Sequence, residues 1–491
     1  MNRTGTSARS KAALFAALGA ALLGAVSTIG VGCSREGGAV RGGSEDRATS
    51  VLLVTLDTTR RDHFGCYGYP QPITPNFDAL ASEGVRFDRA YSTASVTPVS
   101  HASILTGLNP YQHQARVIAA ASGFRLHESV PTLATILRTQ GRRTAAFLSA
   151  FSVSEYYGLE RGFDTWDNGL TVAADDVITS QQGGSHLAWD ANVHQRRSDA
   201  TTDRFLAWLE KGSGPFFAWI HYWDPHDAVI LPPREFIEKF RPDGQRPTDQ
   251  LRALYAAEVH YVDAQFGRIV SALRTRGEYD RTIVVVIADH GEGLGEHNWW
   301  FHRLLYEEQI HVPMLMRIPG AATGVVVTPV VRCTDILPTV TDYLRIAPSG
   351  ATFGRSLRPL LEGRAEPPRP AYADALNKFD QNSNLHKQRP RDGLLYAVIQ
   401  GDWKLIHNDE HADAHQLYNL ANDPEESRNL FTQRPERARE LKALLDSWQP
   451  YQREPFSSGP LDPAALRALQ SLGYVGDTEE AAETQPAGEG P

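Results

Sequence analysis

Cysteine is scarce in this chain, with three residues among 491: Cys33, Cys66 and Cys333. Three thiols cannot build the disulfide framework of a small secreted domain, so a hydrophobic core must stabilise the fold. We expect Cys66 and Cys333 to be buried thiols. A Lys/Arg-rich stripe is also missing, and the net charge is −9. Proteins that bind polyanions normally have such a stripe, so we expect no nucleic-acid partner.

Apolar and charged residues, by contrast, occur in ordinary amounts. The chain is 41% hydrophobic and 22% charged, which is typical of globular proteins. Its length is enough for one large α/β domain and a smaller domain.

The N-terminal segment has the composition of an export signal. Its first eleven residues carry three basic side chains, and residues 12–32 form a largely apolar run without a charge. This order is typical of a secretory signal peptide. The sequence IGVGC, which ends at Cys33, resembles a bacterial lipobox. We therefore predict a signal peptide over residues 1–33 with Cys33 as the lipidated residue, then a flexible tether over residues 34–49. A plain signal peptide or an N-terminal membrane anchor is the alternative.

Apolar runs rich in β-branched residues alternate with amphipathic stretches through the middle of the chain. Residues 51–56 (VLLVTL) and 281–288 (RTIVVVIA) indicate strands that are buried on both faces of a parallel sheet. Further strands are predicted at residues 144–148 and 216–221, and a helix at residues 251–275. This alternation predicts an α/β fold, a doubly wound, mostly parallel sheet flanked by helices.

The sequence pattern changes near residue 371, where short strand patterns and an amphipathic helix follow one another. We predict a catalytic domain over residues 50–370. Residues 371–477 are expected to form a C-terminal subdomain, a small antiparallel sheet plus a helix. Residues 478–491 are acidic and poor in core residues, which predicts a disordered tail.

Potential metal ligands and acid–base groups follow three of the predicted strands. Asp57 ends the first strand, Asp289 and His290 end the central strand, and His226 follows a third strand in the segment HYWDPHD. Ligands of doubly wound sheets bind outside the carboxyl ends of the strands. We therefore expect these side chains to converge on one site.

A threonine at the start of a predicted helix is the candidate nucleophile. Thr97 lies where a loop enters that helix, His101 follows one turn later, and His302 lies beyond the central strand. Hydrolysis of a phosphate or sulfate ester requires charge neutralisation and a positioned nucleophile. A divalent ion held by carboxylates and an imidazole would lower the pKa of a coordinated hydroxyl. The amide groups at the start of the helix would add an anion site.

Short motifs occur along residues 51–476 in a characteristic order. They are LD at 56–57, GCYG at 65–68, the segment 97–107, IADHG at 287–291, the segment 302–313, DILPT at 335–339, SLRPLL at 356–361, WKLI at 403–406 and LYNL at 417–420. In this order they resemble the sulfatase branch of the alkaline phosphatase superfamily. The resemblance implies an alkaline-phosphatase-like fold and a metal-dependent hydrolase of sulfate or phosphate esters.

The resemblance also implies a metal centre. It makes one divalent ion (Ca²⁺, Mn²⁺ or Zn²⁺) the cofactor, with the ligands Asp57, Thr97, Asp289 and His290. Aspartate and histidine ligands suit Mn²⁺ or Zn²⁺ at least as well as Ca²⁺. His221 and Asp224 leave room for a second metal ion.

Several positions depart from the usual sulfatase pattern. Thr97 falls where sulfatases carry the Cys or Ser that matures to formylglycine, and Thr58 falls where they carry a second metal-binding Asp. His101 replaces an Arg and His302 replaces a Lys, while His226 matches a substrate-contacting His. The resemblance thus implies Thr97, His226, His302 and His101 as catalytic residues.

Three functional interpretations follow. The first is a metal-dependent hydrolase that cleaves sulfate or phosphate esters of a small molecule, glycan or lipid through Thr97, anchored by its lipid in a bacterial cell envelope (periplasm or outer membrane). Threonine nucleophiles are characteristic of phosphate-ester relatives, so a phosphodiesterase or a phosphoethanolamine- or phosphoglycerol-type transferase is the second. The third is a non-catalytic surface lipoprotein, which the absence of the usual Lys and His after residues 144–148 would favour.

Overall fold

Fifteen β-strands and thirteen α-helices form the described part of the chain. The computed structural model describes residues 49–118, 124–170, 194–226, 230–240, 244, 246–347, 350, 352–380, 383–451 and 463–471. The strands are β1 (Ser50–Leu56), β2 (Val85–Phe87), β3 (Ala90–Tyr91), β4 (Arg143–Phe147), β5 (Thr165–Asp167), β6 (Phe216–Tyr222), β7 (Thr282–Ala288), β8 (His311–Val312), β9 (Met314–Arg317), β10 (Val325–Val327), β11 (Val331–Arg332), β12 (Ala371–Ala375), β13 (Leu395–Gln400), β14 (Trp403–Asn408) and β15 (Gln416–Asn419). The helices are α1 (Pro75–Glu83), α2 (Thr97–Thr106), α3 (Pro110–His113), α4 (Leu133–Thr139), α5 (Ser198–Lys211), α6 (Arg234–Ile237), α7 (Pro247–Thr275), α8 (Glu307–Ile310), α9 (Ile336–Tyr343), α10 (Arg358–Leu361), α11 (Ser383–Gln388), α12 (Pro435–Ser447) and α13 (Pro463–Ser471).

An eight-stranded sheet forms the centre of the fold, in the order β10-β2-β9-β7-β1-β6-β4-β5. Strands β7, β1, β6, β4 and β5 run parallel to one another, and β9 runs antiparallel to β7 and β2. Helices α1, α4 and α5 pack against this sheet. Every residue of β1, β6 and β7 is buried, because neighbouring strands and covering helices exclude water on all sides. The predicted α/β fold is confirmed.

A small antiparallel sheet, β12-β13-β14-β15, forms the later part of the chain. Helix α12 covers it with Ala438, Leu441 and Leu445, which are buried. This confirms the predicted small antiparallel sheet plus helix. A third sheet, β11-β3-β8, has short strands. The predicted domain boundaries stay a prediction.

Some expectations concern residues outside the described part. The signal peptide with Cys33, the tether up to residue 48 and the acidic tail all lie there. Among the described residues, no helix has both the length and the apolar composition that a bilayer crossing requires. Cys66 and Cys333 are free thiols; Cys333 is buried as expected, whereas Cys66 is half-buried in a short turn.

The register of the central strands brings the predicted ligands together. Leu56 pairs with Tyr222 on one side and with Ala288 on the other. Asp57 directly follows β1, and its amide donates to the carbonyl of Tyr222 at 2.8 Å. Asp289 directly follows β7, and its amide donates to the carbonyl of Leu56 at 3.2 Å. The two carboxylates therefore leave the sheet side by side at its carboxyl edge.

Candidate active site

Asp57, Asp289 and His290 form one cluster at this edge. One ligand atom from each side chain lies within 4.8 Å of the others, and all three residues are fully buried. Oδ1 of Asp57 and Oδ2 of Asp289 have no hydrogen-bond partner among the described residues. Buried carboxylate oxygens without partners are costly. These oxygens therefore fit a bound cation.

The protonation of the cluster supports the same interpretation. Burial, followed by the negative charges of Asp289 and Glu292, raises the pKa of Asp57 well above its usual value. Burial also raises the pKa of Asp289 and lowers the pKa of His290 to about 3. Two carboxylates beside a neutral imidazole are a donor set that divalent ions accept. The residues fit a metal ion of this class.

The tautomer of His290 follows from its contacts. Nδ1 lies 3.0 Å from the carbonyl oxygen of Gly291, which can only accept, so Nδ1 carries the proton and donates. The lone pair of Nε2 then faces Asp289 Oδ2 at 3.4 Å and Thr97 Oγ1 at 3.3 Å. A backbone carbonyl that fixes the other ring nitrogen is the usual arrangement for a metal-binding histidine.

Thr97 is the first residue of α2 and is fully buried. Its side chain also hydrogen-bonds Asp57, which partly offsets the rise in the pKa of that carboxyl. Ser100 Oγ donates to the carbonyl of Asp289 at 2.6 Å and so ties the first turn of α2 to the end of β7. The structure therefore brings the predicted nucleophile and all the predicted ligands together.

His101 lies under Thr97 in the next turn of α2. Its Nδ1 donates to the carbonyl of Thr97 at 2.7 Å, and its Nε2 accepts from Thr55 Oγ1 at 3.0 Å. Trp219 Nε1 donates in turn to that hydroxyl at 2.9 Å. Burial lowers the pKa of His101 to about 4. Both ring nitrogens contact the scaffold, so this geometry positions Thr97.

His226 and His302 lie beside the candidate metal ligands Asp57, Asp289 and His290. The ring of His302 is 4.8 Å from that of His290 and 5.2 Å from that of His226, centroid to centroid. His226 stacks on Trp223 at 3.7 Å. Burial, followed by the charges of neighbouring groups, lowers the pKa of both histidines well below the usual value. The structure therefore brings both predicted acid–base residues into the site.

Three further residues contact the site and are absent from the predicted catalytic set. His221 Nε2 lies 3.0 Å from Asp57 Oδ2, whereas the sequence suggested His221 only as a ligand of a second metal ion. Glu292 Oε2 lies 3.3 Å from His302 Nδ1, and burial raises the pKa of Glu292 well above its usual value. Thr58 adopts a left-handed backbone (φ +45°), and its amide donates to Asp289 Oδ1 at 3.1 Å.

Asp224 takes another place in the fold. Its carboxylate accepts from the amide and hydroxyl of Ser198, at 3.1 and 2.9 Å, and so fixes the start of α5. Within the described residues, Asp57, Asp289 and His290 form the one group of three ligands close enough to hold an ion. The second metal ion stays a prediction.

Comparison with known proteins gives consistent matches. The family model "Sulfatase" matches residues 49–346, and "N-sulphoglucosamine sulphohydrolase, C-terminal" matches residues 295–449. The chain is 23% identical to an N-acetylglucosamine-6-O-sulfatase of Bacteroides thetaiotaomicron, over 82% of this chain and 87% of the relative. It is 22% identical to an arylsulfatase of Clostridium perfringens, over 78% and 90%.

Solved structures share the fold. A phosphonate monoester hydrolase of Agrobacterium radiobacter superposes with a TM-score of 0.68 at 22% identity, over 82% of this chain and 95% of that one. A protein solved with its substrate D-glucosamine-2-N,6-O-disulfate gives a TM-score of 0.64 at 22% identity, over 83% and 99%.

The fold and the residues at its carboxyl edge define an alkaline-phosphatase-like hydrolase of sulfate or phosphate esters. Because the sulfatase model matches more than half of its length, the chain belongs to the sulfatase family.

Proposed function

We propose that this chain hydrolyses sulfate or phosphate esters with Thr97 as the nucleophile and one divalent metal ion as the cofactor. The observation that supports this best is the convergence of a buried hydroxyl, two buried carboxylates and a neutral imidazole. The ligand atoms of Asp57, Asp289 and His290 lie within 4.8 Å of one another, and Thr97 Oγ1 lies 3.3 Å from His290 Nε2. A hydroxyl in such a place can be activated by its neighbours.

Asp57, Asp289 and His290 would hold the metal ion, with Thr97 beside it. When bound, the ion would lower the pKa of the Thr97 hydroxyl and polarise an ester oxygen. The buried oxygens Asp57 Oδ1 and Asp289 Oδ2, which have no hydrogen-bond partner among the described residues, support this assignment. The donor set is compatible with Mn²⁺, Zn²⁺ or Ca²⁺.

The proposed reaction has two steps. The Thr97 hydroxyl gives up its proton to solvent water, Thr97 Oγ1 attacks sulfur or phosphorus, an ester bond forms to Thr97, and the bond to the leaving oxygen breaks. Water then cleaves the Thr97 ester and releases sulfate or phosphate. His101 holds the carbonyl of Thr97, so the nucleophile starts each cycle from a fixed backbone position.

His226 or His302 would protonate the leaving oxygen. Both are uncharged in the free site because burial lowers the pKa of each ring. An anionic ester beside them would raise the pKa of both, since an opposite charge favours the protonated form. Substrate binding would thus create the general acid that its own cleavage requires.

The names of the relatives suggest the substrate class. Two curated relatives are a sugar 6-O-sulfatase and an arylsulfatase, and a structural neighbour was solved with a disulfated glucosamine. Another neighbour is a phosphonate monoester hydrolase. We therefore propose sulfated sugars as the first substrates to test and phosphorus esters as the second.

Export forms part of the proposal. The basic start of the chain, the apolar run at residues 12–32 and the lipobox-like IGVGC at Cys33 are typical of a bacterial lipoprotein. We propose that the mature chain is anchored by Cys33 in the cell envelope. Labelling with a radioactive fatty acid should mark the wild-type chain and leave Cys33→Ala unlabelled; equal labelling would refute the anchor.

The catalytic proposal is tested by turnover of a sulfated glucosamine and of aryl sulfate, aryl phosphate and phosphodiester reporters by the purified chain, loaded in turn with Ca²⁺, Mn²⁺ and Zn²⁺. We expect turnover of at least one reporter with a bound metal and its loss in Thr97→Ala. Turnover that survives this substitution would contradict the nucleophile, and turnover that survives complete metal removal would contradict the cofactor.

A further inference from the structure

Thr58, the residue after Asp57, has a strained backbone. Its φ is +45°, in the left-handed region, where a β-branched side chain is crowded and rarely found. The residue is fully buried. Strain of this kind persists only where the surrounding structure enforces it, and it concentrates at functional sites. Specific contacts must therefore hold the turn at Thr58.

The strained turn supplies a hydrogen bond to a candidate metal ligand. The amide of Thr58 donates to Asp289 Oδ1 at 3.1 Å, and the amide of His290 donates to the same oxygen at 2.7 Å. The other oxygen, Oδ2, faces His290 Nε2 at 3.4 Å and has no hydrogen-bond partner among the described residues. The turn at Thr58 therefore helps to decide which carboxylate oxygen of Asp289 is presented to an ion.

Tyr255 of α7 binds the turn at two backbone groups. Its hydroxyl donates to the carbonyl of Thr58 at 2.7 Å and accepts from the amide of Arg60 at 2.8 Å. The ring is buried in an apolar cluster that includes Ile73 and Leu294, and close packing leaves such a ring little freedom to move. One side chain thus fixes the backbone at residues 58 and 60 and keeps Thr58 in its left-handed conformation.

Contacts behind a metal ligand set the affinity of a metal site. A carboxylate that binds an ion is oriented by hydrogen bonds to its own outer partners, and loss of such a partner typically weakens metal binding about 10–100-fold. We propose that Tyr255 is a positioning residue of the metal site: it enforces the turn at Thr58, whose amide orients the carboxylate of Asp289. This inference rests on the metal cofactor of the proposed function.

The experiment measures by calorimetry the Kd of the purified, metal-free chain for Mn²⁺, Zn²⁺ and Ca²⁺ in turn, and the variants are compared with the ion that the wild type binds most tightly. Tyr255→Phe keeps the buried ring and removes the hydroxyl. Tyr67→Phe is the matched control. The Tyr67 hydroxyl likewise bridges two backbone groups, since it donates to the carbonyl of Phe87 at 3.0 Å and accepts from the amide of Met314 at 3.1 Å.

We expect Tyr255→Phe to raise the Kd at least about tenfold, as for loss of an outer partner of a metal ligand. Tyr67→Phe should change the Kd less than about twofold, as for an independent site. Both variants lose comparable hydrogen bonds, so both should unfold at a lower urea concentration than wild type. An unchanged Kd in Tyr255→Phe, or equal losses of affinity in the two variants, would overturn the proposal.

Substitutions at Thr58 separate positioning from general damage to the fold. Glycine adopts this φ without strain, whereas alanine does not. Tyr255→Phe combined with Thr58→Gly should therefore bind the ion within about threefold of Thr58→Gly alone. Combined with Thr58→Ala, it should bind at least about tenfold more weakly than Thr58→Ala alone. Equal losses in the Gly and Ala backgrounds would mean that Tyr255 does not act through the turn. If Tyr255→Phe alone does not fold, the two double variants decide the question by the same comparison.

The positioning role and the proposed function fail on different results. Thr97-dependent turnover with metal affinity independent of Tyr255 would reject the positioning role alone. Loss of affinity in Tyr255→Phe, with turnover that survives Thr97→Ala, would leave the positioning role standing and reject the nucleophile. A wild-type chain that binds none of the three ions would reject the metal cofactor and the positioning role together.

Discussion

Thr97 is held in position by one contact to its backbone carbonyl and one to its side-chain hydroxyl. His101 holds its carbonyl, and its hydroxyl lies 3.3 Å from His290 Nε2. Removal of the hydroxyl should remove the nucleophile and leave this scaffold intact. We expect Thr97→Ala to lower kcat/KM by at least about a thousandfold, the scale for loss of a nucleophile. Thr97→Ser should keep measurable turnover because it keeps a hydroxyl.

The matched control is Thr106→Ala at the other end of α2. Its hydroxyl bonds the carbonyl of Ala102 within the helix, far along the helix from Thr97. Activity of this variant should stay within about threefold of wild type, as for distant and independent sites. Equal losses in Thr97→Ala and Thr106→Ala would mean that α2 had been disrupted, and kcat/KM would then carry no information on the nucleophile.

Asp57 is one of the candidate metal ligands and also contacts His221 and Thr97. We expect Asp57→Asn to lower the bound metal per chain, because the substitution removes one of two negative charges that would hold the ion. Elemental analysis after gel filtration measures this directly. Asp203→Asn is the control, since Asp203 is an exposed aspartate that forms an ion pair with Arg268. Equal metal content in wild type and Asp57→Asn would reject Asp57 as a ligand.

At the residue scale, the sequence predicted the groups that follow strands and missed a group that reaches the site from a loop. Asp57 and Asp289 were predictable, because the ends of parallel strands meet at one edge. His221, which the sequence suggested only as a ligand of a second metal ion, lies beside Asp57. Glu292, which the sequence did not indicate, lies 3.3 Å from His302 Nδ1. Those contacts depend on tertiary structure, which local patterns do not specify.

Asp263 of α7 fixes the start of α1. It accepts hydrogen bonds from the amides of Asn76 and Phe77, at 3.0 and 2.8 Å, and from Asn76 Nδ2 at 2.8 Å. Asp263→Ala removes the acceptor of the buried Phe77 amide and of the two part-buried Asn76 donors, so we expect the free energy of unfolding to fall by about 2–3 kcal/mol. Urea denaturation measures it. Asp203→Ala, at an exposed aspartate, should change stability by less than about 0.5 kcal/mol.

The same carboxyl predicts a pH dependence of stability. Burial raises the pKa of Asp263 from 3.8 to about 7. The folded state therefore binds the Asp263 proton more tightly than the unfolded state does. The resulting contribution of Asp263 to the free energy of unfolding is greatest below pH 4 and is lost as the pH rises through 7. The stability of wild type relative to Asp263→Asn should fall across that interval in urea titrations. A constant difference from pH 4 to pH 8 would contradict the raised pKa.

At the element scale, the buried core was easier to predict than the edges. The predicted strands at 51–56 and 281–288 agree with β1 and β7 to one residue at each end, because burial on both faces selects continuous apolar runs. The predicted helix at 251–275 begins at Pro247, where Arg246 and Asp249 form its capping interactions. Short strands such as β3 and β10 carry no periodic pattern long enough to recognise.

A buried ionic network joins the small sheet to the rest of the molecule. Lys404 of β14 is fully buried, with Nζ 3.1 Å from Glu307 and 2.9 Å from Glu426. Its charge contributes to a pKa of about 2 for Glu307. Lys404→Met removes the cation between Glu426 and Glu307 and leaves Glu307 with His311 as its remaining ion-pair partner, so we expect a loss of about 3–5 kcal/mol in unfolding free energy. Lys442→Met, at an exposed pair on α12, should cost less than about 0.5 kcal/mol.

Urea denaturation, monitored by two independent signals, tests the role of this network. If Lys404→Met unfolds in a single transition at a lower urea concentration than wild type, the small sheet unfolds together with the large one. An unchanged midpoint urea concentration would contradict a stabilising role of the network. An additional transition at low urea that accounts for only part of the signal change would show that the small sheet unfolds separately.

The central claim is that Thr97 forms a covalent ester during turnover, and mass spectrometry tests it most directly. The metal-loaded chain would be mixed with an aryl sulfate or aryl phosphate, quenched in acid and digested. In the wild type we predict one sulfuryl or phosphoryl group on the peptide that contains Thr97. The same peptide of Thr97→Ala should be unmodified at every quench time. The peptide of Thr97→Ser should be unmodified once hydrolysis of its ester is complete. Rapid turnover with an unmodified Thr97 peptide at every quench time, or a modified residue other than Thr97, would contradict the account.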